Sequence, residues 1–325
     1  MGGNGGSAGG VVMADVLVGA TASGKSAVAQ WVAEQGRGRV IVSADSMAVY
    51  RRLDIGTAKP DAGDRRRVTY FGIDQAEPAE EWSAGAYVEA LRREREAIAA
   101  GATRGEERPI VVGGTGLYVQ ALTEGLDAAA AAKPEKRLEA EKILAEGGLE
   151  ALQEAVRALS PGEYAKVRDP ENPRRVVRAY ELFAGGHPWP VAVERPKPRL
   201  VGLRRDPEDL KQRIALRVRR MFAWGLVDEA RALRERGVVL SETARHAIGY
   251  EEAFAVVDGT LDEEAAIERT IARTRQYAKR QMTWFRHQAE MVWVDAAPDD
   301  SIERLAGRVE AAWRHIGAVA LRGLG

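Results

Sequence analysis

Gly19-Ala20-Thr21-Ala22-Ser23-Gly24-Lys25-Ser26 is the stretch that decides the fold. It fits G-x-x-x-x-G-K-[ST], the phosphate loop. The apolar Asp15-Val16-Leu17-Val18 before it reads as a strand, and the amphipathic stretch from Ala27 to Glu34 after it reads as a helix. In that setting the glycines let backbone N–H groups converge on phosphate oxygens, and the helix N-terminus adds positive potential. Lys25 supplies a mobile charge, and Ser26 is placed to reach a magnesium ion riding on the phosphates. The plainer reading is an ordinary glycine-containing βα turn. A bound polyphosphate is implied, but the loop does not say which one.

Outward from the loop, short apolar runs alternate with helical stretches as far as about residue 120. Val40-Ile41-Val42-Ser43 and Pro109-Ile110-Val111-Val112 read as strands, and Trp82 to Ala100 as a helix between them. This alternation predicts an α/β fold, a parallel sheet flanked by helices of the P-loop NTPase type. Its ligands are expected at the carboxyl ends of the strands. From about Ala121 to Pro198 the chain turns rich in Ala, Glu, Leu and Arg with helical periodicity, which predicts an all-helical insertion over 121–198. Leu200-Val201-Gly202-Leu203 reads as the return to the sheet, and Val292-Trp293-Val294-Asp295 as a last strand. The core is therefore expected over 13–120 and 199–325, with 1–12 a disordered Gly-rich leader, Met13 an alternative start and Ala128 to Ala132 a short flexible run.

Composition bounds the classes. The 325 residues are 45% hydrophobic and 30% charged, with zero formal net charge and no cysteine. That excludes disulfides and Cys-ligated zinc and fits a cytoplasmic protein. Four scattered histidines do not suggest a metal site, and no apolar run is long enough to span a bilayer. Zero net charge argues against nucleic acid on its own, yet arginine outnumbers lysine 39 to 9, so basic patches remain open.

Asp45 ends the second strand, in Ser43-Ala44-Asp45-Ser46-Met47, as a carboxylate at the phosphate-binding edge. It reads as a general base or magnesium-linked acid, or else as a helix N-cap. Lys59, in the turn-rich Asp54 to Pro60, reads as facing phosphates or as plainly solvated. Gly113-Gly114-Thr115-Gly116 reads as bringing backbone and hydroxyl close to a ligand, or simply as letting a helix pack closely, and no aspartate ends that strand as an ATPase would require. Asn172-Pro173 opens a helix carrying Arg174, Arg175 and Arg178 within one turn. In the helix from Pro207 to Phe222, Arg213, Arg217 and Arg220 share a stripe opposite Leu210, Ile214, Val218, Met221 and Phe222. The helix from Ile271 to His287 sets Ile271, Thr274, Ala278, Met282 and Phe285 toward the core. Arg273, Tyr277, Arg280, Trp284 and His287 lie opposite, a basic–aromatic stripe suited to RNA loops or to packing against the insertion.

These residues, in this order, closely resemble the bacterial tRNA dimethylallyltransferase (tRNA isopentenyltransferase) family. The resemblance runs from about Val16 to Asp295. It rests on 19–26, on Ser-Ala-Asp-Ser-Met-Ala-Val-Tyr (43–50) and on Asp-Ile-Gly-Thr-Ala-Lys-Pro (54–60). It continues through Val-Gly-Gly-Thr-Gly-Leu-Tyr (112–118), Asn-Pro-Arg-Arg-Val-Val-Arg-Ala (172–179), Ala-Ile-Gly-Tyr (247–250) and Thr-Arg-Gln-Tyr-Ala-Lys-Arg-Gln-Met-Thr-Trp-Phe-Arg (274–286). It implies transfer of a dimethylallyl group from its diphosphate to N6 of the adenine 3′ of the anticodon, in tRNAs reading codons that begin with U.

By the same resemblance Asp45 is the base, Thr115 stands near the scissile bond, and Arg217 with Arg213 clamps the leaving group. The loop residues Gly19, Ala20, Thr21, Ala22, Ser23, Gly24, Lys25 and Ser26 hold the diphosphate, with Mg²⁺ on Ser26. Contacts to the tRNA anticodon stem-loop are implied for Asp45, Ser46, Met47 and Ala48, for Arg137, Arg174, Arg175 and Arg178, and for His246, Gly249 and Tyr250. The stripe residues Arg273, Arg280 and Trp284 join them. Ala20 stands where proline is usual and Ala48 where glutamine is common. The absence of cysteine sets the chain apart from eukaryotic relatives with a zinc finger. A monomer without a membrane partner is expected. Two alternatives share the phosphate loop, an adenylate isopentenyltransferase and a small-molecule P-loop kinase. A non-catalytic RNA-binding protein with a relic loop is the third.

Overall fold

The computed structural model describes residues 11–36, 39–100, 108–125, 134–167, 169–190 and 196–325. Of the disordered leader expected over 1–12, residues 1–10 lie outside the described residues, as does the alanine run 128–132, but Val12 is buried in the core and its carbonyl accepts from the Leu321 N–H at 2.8 Å. The chain divides into two compact units, one from Met1–Gly125 with Pro196–Gly325, the other Leu126–Arg195.

In the first unit the chain runs β1 (Met13–Gly19), α1 (Lys25–Gln35), β2 (Ile41–Ala44), α2 (Ala62–Arg67), β3 (Tyr70–Phe71), α3 (Ala84–Arg93), α4 (Arg95–Ala100), β4 (Ile110–Gly113) and α5 (Gly116–Thr123). The second unit holds α6 (Pro134–Leu159), broken at Gly148, then α7 (Pro161–Tyr164) and α8 (Pro173–Ala184). The first unit resumes with β5 (Arg199–Arg205), α9 (Pro207–Ala223), α10 (Leu226–Glu235), α11 (Tyr250–Val257), α12 (Glu263–Gln288), β6 (Glu290–Ala296), α13 (Ile302–Ile316) and β7 (Val319–Ala320).

The strands form one sheet in the order β3-β2-β4-β1-β5-β6, every pair parallel, and β7 adds antiparallel to the start of β1. Period-2 alternation sends successive side chains to opposite faces, and both faces are dry. Val16, Val18, Val42, Val111 and Leu200 join one core with residues of α3, α5 and α9 to α12. Leu17, Ile41, Ile110 and Val201 join the other with residues of α1 and α13. Trp313 seals that second face, its indole N–H donating to the Val16 carbonyl at 2.9 Å. The second unit has a core of its own, including Ala140, Leu152, Val156, Val176 and Phe183. Among the described residues no helix is long and apolar enough to cross a membrane.

Two local expectations need adjustment, and two short strands were not foreseen. The helix expected over 82–100 is two: Ser83 caps α3 by accepting from the Ala86 N–H, and the chain tightens at Glu94, whose N–H reaches the Leu91 carbonyl. Nothing in the local sequence marks that break. The helix expected from Ile271 starts at Glu263, where Asp262 accepts from the Ala265 N–H at 2.9 Å. Strands β3 and β7, two residues each, are too short for alternation to show.

Candidate active site

The carboxyl ends of β1, β2 and β4 open onto a cavity of about 420 Å³ whose lining includes Thr21, Lys25, Ser26, Asp45, Gly113 and Arg217. The loop from Gly19 to Ser26 turns through left-handed backbone at Ala22 (φ 61) and at Gly24 (φ 99), the N-cap of α1. Two arginines pin its carbonyls outward. Arg213 Nε donates to the Ala22 carbonyl at 3.1 Å, and Arg205 Nε to the Ser23 carbonyl at 2.7 Å. Turning those carbonyls away leaves amides free to face an anion. Arg205 is itself buried and paired to Asp209 at 2.8 Å. Ser26 sits exposed in the first turn of α1.

Lys25 is 8% exposed, and its ammonium donates to the Ala20 carbonyl at 3.1 Å. Burial lowers its pKa to about 8; the Asp45 carboxylate raises it and the Arg217 guanidinium lowers it further. Burial also holds Arg217 below its usual range, against the pull of Asp45. Among the described residues Arg217 has no hydrogen bond and no ion-pair contact, so its charge acts on Lys25 and Asp45 through space. An anion in the cavity would satisfy both cations.

Asp45 follows β2 in a turn, not a helix, so the N-cap reading does not apply. Its Oδ1 accepts from the Met47 N–H at 2.9 Å, while no hydrogen bond engages Oδ2 among the described residues. Thr115 stands behind that turn: its Oγ1 accepts from the Ser46 N–H at 3.0 Å and lies 3.3 Å from Ser46 Oγ. The hydroxyl thus fixes the segment that carries Asp45.

Sequence reasoning passed over Gln281, which sits on α12 between the two assigned faces and is 5% exposed. Its Oε1 accepts from the Thr21 N–H at 2.8 Å, and its Nε2 donates to the Gly114 carbonyl at 3.0 Å. Arg205 was missed as well. A polar side chain one helical turn after Tyr277 and an arginine ending a strand were the available signals.

A family model described as IPP transferase matches residues 48–288. The chain belongs to the IPP transferase family. A tRNA dimethylallyltransferase of Anaeromyxobacter dehalogenans (strain 2CP-C) is 42% identical over 303 residues, covering 91% of this chain and 98% of that one. One from Geobacter metallireducens is 41% identical over 288 residues, with coverages of 86% and 91%. Among solved structures, the full-length tRNA isopentenylpyrophosphate transferase from Bacillus halodurans has a TM-score of 0.63 at 32% identity, covering 93% of this chain and 97% of that one. A eukaryotic dimethylallyltransferase acting on tRNA shares the fold, with a TM-score of 0.72 at 24% identity over 93% of this chain and 78% of its own.

Within this IPP transferase chain the remaining expected residues divide. Ser46 and Met47 are half-buried beside Asp45, and His246 and Arg280 are exposed. Arg280 lies 5.8 Å from the Tyr277 ring centroid. Tyr250 is not a surface residue: its ring is fully buried, and its hydroxyl donates to Glu229, which also accepts from the Asp54 and Ile55 N–H groups. Gly249 is buried too, its N–H donating to Glu252 at 3.2 Å, and Ala48 is 5% exposed, lining the cavity wall. Arg273 is held by Glu251 and Glu252, each at 2.6 Å. Trp284 lies against the Gly116 backbone and edge-on to Phe285, so its ring is engaged in packing.

Lys59 lines the cavity but is not solvated. Its buried ammonium ties the Tyr50 carbonyl, Asp54 and Asp74 together at 2.5 to 2.8 Å. In the second unit, Arg137 pairs with Glu141 at 2.7 Å, Arg178 with Glu181 at 2.8 Å and Arg175 with Asp169 at 3.8 Å. Arg174 follows Asn172, whose side chain caps α8 by accepting from the Arg174 N–H at 3.2 Å.

Proposed function

We propose that this protein transfers the dimethylallyl group of dimethylallyl diphosphate to N6 of the adenine 3′ of the anticodon, in tRNAs reading codons that begin with U. The observation that carries the reading is the meeting of the phosphate loop, Asp45 and Arg217 in one cavity. The C1–O bond to the diphosphate breaks, and its electron pair leaves on oxygen. The N6 lone pair forms the new C–N bond, and the N6 proton passes to Asp45, whose Oδ2 is the unengaged oxygen. Free loop amides and Lys25 bind the departing diphosphate, and Arg217 meets its developing charge, where a fixed cation lowers the barrier most. Thr115 holds the turn carrying Asp45 and so orients the base.

Mg²⁺ fits the site through Ser26, an exposed hydroxyl on the cavity lining. Among the described residues no group of three or more His, Cys, Asp or Glu side chains stands ready to hold a metal. Ser26 would hold such a cation through its hydroxyl and leave the remaining positions to phosphate and water, the habit of Mg²⁺. When bound, it neutralises charge on the diphosphate.

The adenine has to leave the stack of its loop to reach Asp45. The exposed His246 and Arg280, with Arg137, Arg174, Arg175 and Arg178 of the helical unit, are the residues we assign to the anticodon stem-loop. The protein is read as a cytoplasmic monomer. The test is transfer of labelled dimethylallyl from its diphosphate, with Mg²⁺, to an anticodon stem-loop bearing the target adenine. Prenylation of AMP in its place, or ATP turnover as the sole activity, overturns the proposal.

A further inference from the structure

A phosphate loop of this sequence usually leaves open whether two or three phosphates are held, and one side chain bears on the choice. The amide of Gln281 is fixed at both ends. Its oxygen must face the Thr21 N–H, a donor, and its nitrogen must face the Gly114 carbonyl, an acceptor, so the orientation of the amide is set by its partners. Gly114 makes the approach possible, since a Cβ there would lie 2.1 Å from Gln281 Nε2. Gln281 is buried, and Thr21 lines the cavity with Lys25 and Asp45.

The chemical consequence is local. Thr21 lies four residues before Lys25, toward the start of the loop and away from the N-terminus of α1. Its amide is a natural donor for a phosphate beyond the pair held at Gly24, Lys25 and Ser26, but a carbonyl oxygen already accepts from it. A phosphate oxygen brought to this amide would meet the lone pairs of Gln281 Oε1, with no proton between them. A diphosphate does not need the donor; a third phosphate does.

We infer that Gln281 is a specificity-determining residue that closes the phosphate loop to a third phosphate by occupying the Thr21 amide. The inference rests on the proposed use of the loop for a diphosphate. It deepens that proposal by explaining how a nucleotide-type loop prefers a prenyl diphosphate to a nucleoside triphosphate.

The test is calorimetric binding of inorganic pyrophosphate and inorganic tripolyphosphate, with magnesium, to the full chain and two variants. Gln281→Met keeps length and packing but removes the oxygen. Gln281→Glu keeps an oxygen at Thr21 and adds charge. The ratio of tripolyphosphate to pyrophosphate affinity is expected to rise about tenfold in Gln281→Met, the worth of one charge-assisted hydrogen bond regained. It is expected to fall below the wild-type ratio in Gln281→Glu. The opposite signs separate occupancy of the amide from general loosening, and circular dichroism with the thermal midpoint reports folding of each variant. Equal ratios in all three proteins, or a shift of the same sign in both variants, overturn the role of Gln281 while leaving the diphosphate proposal standing. Failure of the wild type to bind pyrophosphate overturns both.

Discussion

Titrating Lys25 gives the sharpest quantitative expectation. Its pKa stands near 8 in the folded protein against 10.5 when unperturbed, chiefly because burial strips water from the ammonium. An anion against the ammonium replaces that water and restores the ordinary value, so binding of a diphosphate takes up a proton. With a pKa of about 8 the free protein is about nine-tenths protonated here at pH 7 and about one-tenth at pH 9. Dimethylallyl diphosphate is therefore expected to bind about tenfold more weakly at pH 9 than at pH 7. Calorimetry in buffers of different ionisation enthalpy should register close to one proton taken up at pH 9.

Lys25→Arg, charged throughout this range, should bind more weakly overall but show no slope. Stability moves in the opposite direction. Between pH 8 and 10.5 the unfolded chain holds more protons at this position than the folded one, so folding strengthens as pH rises through that window. The gain is roughly 3 kcal/mol relative to a Lys25→Met variant. A flat affinity from pH 7 to 9, or a slope that survives in Lys25→Arg, refutes the reasoning.

Further expectations are as direct. Arg217→Gln removes a cavity-lining cation with no hydrogen-bonded partner among the described residues, and should lower kcat by about 10² to 10³ and weaken donor binding as well, read by single-turnover transfer and calorimetry of the donor. Thr115→Val frees the Ser46 N–H and loosens the turn carrying Asp45. It should lower kcat by about tenfold or more while leaving pyrophosphate affinity unchanged. Gly114→Ala forces a methyl onto the Gln281 amide, so it should shift phosphate-chain selectivity in the direction of Gln281→Met. It should also lose about 1–3 kcal/mol in denaturant melts.

What was legible beforehand follows from how local each signal is. The phosphate loop, its strand and its helix are contiguous, so spacing alone places Lys25 and Ser26. Asp45 and Thr115 could be flagged because each ends an apolar strand, and parallel sheets bring strand ends to one edge. Gln281 could not. It reaches the loop from 260 positions away in sequence, and helical periodicity set it between two faces as neither core nor stripe. Tyr250 and Gly249, both buried, illustrate the reverse. A motif names a position as important without saying whether its side chain faces solvent or braces the fold. Glu229, which holds the Tyr250 hydroxyl and two backbone N–H groups at once, carries no sequence signature of its own. The two-residue strands depend on pairing with strands distant in the chain, which no short window contains.

The central claim is that Asp45 removes the N6 proton while the loop grips the diphosphate independently of it. Single-turnover transfer of dimethylallyl to an anticodon stem-loop by Asp45→Asn, paired with calorimetry of the donor, tests this most directly. Asparagine keeps the acceptor for the Met47 N–H and so preserves the turn. The expected result is a rate lower by about 10² to 10⁴ with donor affinity within about threefold of wild type. A near-wild-type rate, or a loss of donor binding that accounts for the loss of rate, contradicts the account.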